Sequence, residues 1–144
     1  MRIQGWTGFS LSLLLGISSA DTLALELDPV AEAKRLEAGL ARLCGVWEWT
    51  VHSHTMSHRE SKAKIVLPNA EAAGVEGPSP TEIRVYGDAV YFRWDFPGGF
   101  QEDSMLLVEN RRLEGTFRAS TGSVGAVNGK RVAACQPKGN EGKP

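Results

Sequence analysis

The hydrophobic period of this chain switches once, within Leu43-Cys44-Gly45-Val46-Trp47-Glu48-Trp49-Thr50-Val51. Before that stretch, Val30, Ala33, Leu36, Leu40 and Leu43 recur at helical spacing, and Lys34, Arg35, Glu37 and Arg42 take the other side. This is the stripe of an amphipathic helix. Asp28-Pro29 offers a cap and a first-turn proline, and Gly45 a terminator. The pattern therefore predicts a helix over residues 29–44 that packs its stripe on the domain's own sheet. After Gly45, Trp47, Trp49 and Val51 alternate with Glu48, Thr50 and His52. Successive strand residues point to opposite faces, so the odd positions are expected in the core.

More strands follow. Ala63, Ile65 and Leu67 alternate with Lys62 and Lys64, which predicts a strand from Ser61 to Leu67. Pro68 to Pro80 reads as a connector and a candidate rim. Thr81 to Trp94 reads as a hairpin turning at Gly87-Asp88. That turn pairs Tyr86 with Ala89, Val85 with Val90, Arg84 with Tyr91, Ile83 with Phe92 and Glu82 with Arg93. A slip of one residue destroys every match. Glu102 to Ser120 reads as a second hairpin. With Asn110-Arg111 as its loop, Val108 pairs with Leu113, Leu106 with Gly115 and Ser104 with Phe117. Met105 and Leu107 then fall on the face opposite Leu106. Gly129 to Cys135 is the last expected strand. The expected fold is mainly β: an antiparallel meander of about seven strands forming a barrel or curved sheet, with one N-terminal helix.

The 144 residues suit one domain. A net charge of −1 gives no global field toward nucleic acid or an anionic membrane. Residues 1–20 read as a signal peptide, with Arg2, the apolar run Phe9 to Ile17 and the small residues Ser18-Ser19-Ala20. The run is shorter than the roughly 20 residues that span a bilayer, so no stable membrane span is expected. Residues 21–135 form the expected domain, and residues 136–144, without an apolar residue, a disordered tail. Export leaves the two cysteines, Cys44 and Cys135, free to form a disulfide; two buried thiols are the alternative.

Leu43-x-Gly45-x-Trp47 after an N-terminal helix resembles the opening of the first strand in lipocalins and other calycin barrels. The resemblance implies a β-barrel in which Trp47 plugs one end against an arginine from a late strand. Arg131 is the first candidate by position, and Arg118 the second. The family's second motif, around a Thr-Asp-Tyr turn, is not visible, and a full lipocalin has eight strands in a longer chain.

Candidate chemistry is sparse. His52, His54 and His58 hold every imidazole in the chain, with Met56 between them and Glu48 on the same expected face. Imidazoles with a nearby thioether or carboxylate suit Cu or Zn. No Gly-x-Ser-x-Gly elbow is present. Glu102 and Asp103 are neighbours on a strand, point to opposite faces, and read as solvated charges. Gly98-Gly99 and Gly122-x-x-Gly125 read as turns, since neither lies between a strand and a helix.

Three functions fit. The leading expectation is an exported, periplasmic or secreted, non-enzymatic binding protein without a cofactor. It would hold a small apolar or amphipathic ligand among Trp47, Trp49, Phe92, Trp94 and Phe117, with Ile83, Val85, Val90 and Leu106 completing the lining. The second is a periplasmic metal-binding protein using His52, His54 and His58. The third is a protein-binding or inhibitor domain presenting the Pro68–Pro80 loop or the Met105/Leu107 face.

Overall fold

A computed structural model of the chain describes residues 28–55 and 59–135. The expected signal peptide, the expected tail and His58 lie outside them. Helix α1 (Pro29–Leu43) starts where the sequence placed it. Asp28 caps it by accepting from the Val30 amide at 3.0 Å, and Pro29 fills the first turn. Seven strands follow: β1 (Gly45–Ser53), β2 (Glu60–Leu67), β3 (Glu82–Tyr86), β4 (Ala89–Phe96), β5 (Gly99–Val108), β6 (Arg112–Ala119) and β7 (Val124–Ala134).

All neighbouring strands are antiparallel, in the order β2-β1-β7-β6-β5-β4-β3. Consecutive strands β2 and β3 therefore stand at opposite edges. The sheet curls into a half-barrel rather than closing. The connector between them, with a single 3-10 turn at Glu71–Ala73, runs between the two edges and buries Ala70.

One end of the half-barrel is closed. Leu43, Trp47, Leu67, Leu107 and Leu113 are all buried there. The helix seals this end. Arg42 donates to the Gly87 carbonyl at 2.9 Å and pairs with Asp88, and it also reaches Asn110, so one side chain grips two hairpin turns. Cys44 and Cys135 form a disulfide with Cα atoms 5.3 Å apart and 91 residues between them in sequence. Gly45 is required at the switch from helix to strand. Its φ is +149°, and a Cβ there would collide with the Ala133 carbonyl.

The β3–β4 hairpin has the expected register throughout. The β5–β6 hairpin does not. Its loop is three residues, Glu109-Asn110-Arg111, with φ of 51° at Glu109 and 52° at Asn110. The longer loop shifts the pairing: Met105 meets Gly115, Leu107 meets Leu113, and Asp103 meets Phe117. Met105 and Leu107 are therefore core residues, and Leu106, expected in the lining, points outward at 56% exposure. This removes the Met105/Leu107 face as a docking surface. The helix differs as well. Of its stripe only Leu43 is buried, while Val30 and Leu36 are exposed. The contact is instead made at Gly39, which lies so close to Val85 that a Cβ would sit 2.6 Å from the valine Cβ.

Two outcomes test this packing. Replacing both cysteines by serine should cost about 2–5 kcal/mol in urea unfolding, because the disulfide restrains nearly the whole domain. Gly39→Ala should cost about 1–3 kcal/mol by wedging α1 away from β3; an unchanged unfolding midpoint would mean that the helix is not held at this point.

Candidate functional site

The two ends of the half-barrel differ. At the end opposite the helix C-terminus, inward positions stay open: Ser61 and Ala63 are exposed although they pair with Val51 and Trp49. Val51, Ile83 and Trp94 are half-buried there. The inner wall beneath this opening is aromatic. Trp49 meets Phe92 edge-on with ring centres 5.3 Å apart and Trp94 at 5.8 Å, and Phe92 and Trp94 stack at 6.0 Å. Phe117 joins the same cluster from β6. Four of the five expected ligand residues thus come together. Trp47 lies apart, at the closed end, with the Arg131 guanidinium 4.7 Å from its ring centre.

The side chain that sequence reasoning misplaced is Asp103. It is fully buried, in a row across β4, β5, β6 and β7 that reads Phe92, Asp103, Phe117, Gly125. Trp94 Nε1 donates to its Oδ2 at 2.8 Å, and Gln101 Nε2 donates to its Oδ1 at 2.7 Å. Burial pushes the Asp103 carboxyl above the usual carboxylate range, and hydrogen bonding from Gln101, Trp94 and Trp49 only partly opposes this. The signal was present in the alternation: Asp103, Met105 and Leu107 share one strand face.

Its neighbour Glu102 faces the other way. Tyr91 donates to it at 2.7 Å, and Arg93 and Arg118 pair with it. The hydrogen bonds from Tyr91 and Arg118 hold its carboxyl below the ordinary range. One dipeptide therefore carries a carboxylate saturated by cations outside and one without a cationic partner, among the described residues, inside.

The histidines lie elsewhere. His52 projects outward, and its Nδ1 is 3.3 Å from Glu60 Oε2. His54 follows the end of β1 and is exposed. Among the described residues, no three His, Cys, Asp or Glu side chains are grouped closely enough to hold a metal ion. No described helix is long and apolar enough to cross a membrane.

The buried acid makes stability depend on pH. The folded protein holds the Asp103 proton more tightly than the unfolded chain does. Its contribution is then fully present below the unfolded value, about 3.9, and is lost as pH rises through the higher folded value. Urea unfolding across this acid range should show wild-type stability falling relative to Asp103→Asn as pH rises. Parallel curves would place Asp103 in a solvated setting.

No family model, no curated protein and no solved structure matches this chain.

Proposed function

We propose that the chain is an exported, non-enzymatic binding protein that takes a small apolar or amphipathic ligand at the open end of its half-barrel. The observation that carries this reading is Asp103, a carboxyl buried among aromatic residues in a half-barrel whose β2 edge leaves inward positions exposed. A core that served stability alone would favour an apolar residue in this row, since an ionised carboxylate loses several kcal/mol on leaving water. A binding site has a use for it: one placed polar group orients a ligand within apolar walls. The lipocalin-like opening at Gly45 and Trp47 supports the same reading, and the signal-like leader and the Cys44–Cys135 disulfide support export. The closed end gives the site a rigid base, so that ligand contact reorganises only the half-buried residues.

Phenylnaphthylamine, an amphipathic probe that brightens in apolar surroundings, should bind the protein purified from an oxidising compartment and quench its tryptophan emission. Trp94→Ala should weaken this binding about tenfold, the loss expected when one aromatic contact of the wall is removed. Absence of any probe response, together with a native mass equal to the bare chain, would refute the reading.

A further inference from the structure

The charge balance inside the half-barrel suggests which ligand the open end takes, on the premise that the binding reading above holds. Asp103 accepts from the Trp94 indole and the Gln101 amide, with the Trp49 indole also acting on it, and all of these donors are neutral. Arginines of the strands on either side, and of β7, are committed elsewhere. Arg93 and Arg118 pair with Glu102 on the outer face, and Arg131 lies over Trp47 at the closed end. Among the described residues, no lysine, arginine or histidine forms an ion pair with Asp103. A carboxylate surrounded by Trp49, Phe92, Trp94 and Phe117 is thus left without a counter-charge.

We infer that the open end binds a small organic cation, an ammonium whose charge meets Asp103 and whose alkyl groups lie against the tryptophan rings. Aromatic faces attract cations through their quadrupole, and most strongly where water is excluded. The half-buried Gln101 makes this possible. It sits opposite Trp94 on the neighbouring strand, toward the open end, and its amide supplies the donor on Oδ1. Rotation of this one side chain lets the cationic group approach Oδ1, so that a full positive charge takes the place of a neutral donor. Opposite charges attract more strongly in a site shielded from water than in bulk water. Trp94 stays in place, holding Oδ2.

The test compares choline with neohexyl alcohol, its uncharged isostere, by tryptophan quenching and calorimetry on the full protein. Choline should bind at least about tenfold more tightly. Asp103→Asn should bring the two to parity, because Gln101 can turn its amide oxygen toward the new donor and keep the wall in place. Gln101→Ala should tighten choline several-fold. Equal binding of choline and the alcohol by the wild type, or choline binding that survives Asp103→Asn, overturns the inference. If phenylnaphthylamine binds in that case, only the cation falls; if none of the three binds, the binding reading falls with it. Should Asp103→Asn fail to fold, the wild-type comparison and Gln101→Ala decide.

Discussion

Everything in this structure leans on how the helix ends. The last carbonyls of an α-helix have no partner within it and must find donors. Here the donors come from the sheet. Trp47 Nε1, fully buried, donates to the Leu43 carbonyl at 2.8 Å, and an Arg131 amino group donates to the Arg42 carbonyl. The same two side chains lie against each other. Trp47 is on β1 and Arg131 on β7, which are paired, and the disulfide closes over the same point. Helix, first strand and last strand are therefore one knot. Arg131 is held there at some cost: among the described residues its Nε is buried without a partner, and burial lowers the pKa of the guanidinium. No described carboxylate bonds it; the ring of Trp47 and a carbonyl stand in for one.

That knot explains why the opposite end can stay open. Strands β2 and β3 never pair, so the half-barrel has two free edges. An open sheet with a solvated interior would collapse or aggregate unless its edges were blunted. Lys62 and Lys64 alternate along β2, and Arg84 sits on the short β3. The apolar burden is moved to the sealed end, and the open end keeps only what the aromatic wall can shield.

The sequence made part of this legible. Glu82 against Arg93 and Val85 against Val90 admit a single register, because each face supplies a complementary partner. The run Met105-Leu106-Leu107-Val108 does not alternate, so periodicity alone could not choose its inward face. The choice was made by Glu109 and Asn110 adopting left-handed backbone, which added one residue to the loop. The helix stripe was misjudged for a different reason. A stripe of apolar residues gives a direction but not a distance; the close approach is made at Gly39, while Val30 and Leu36 stay exposed, Leu36 lining a groove against β3. Of the site, the aromatic wall was readable from alternation on β1 and β4. Asp103 was not, because the expected register turned Leu106 inward and left Asp103 on the outer face with Met105 and Leu107, where a solvated charge is in place.

The burial of Asp103 is the strongest local argument for function. Where polarity and burial disagree in a native chain, the residue marks a functional or a strained site. Glu102 obeys both rules: it faces outward and is met by Tyr91, Arg93 and Arg118. Asp103, one residue on, faces inward and violates polarity, and among the described residues the fold answers with neutral donors rather than a cation. An arginine could have reached an inward position, since Arg131 does so at the other end of the same half-barrel. Among the described residues no cation meets this buried carboxyl, and the missing charge is what the proposed ligand would supply.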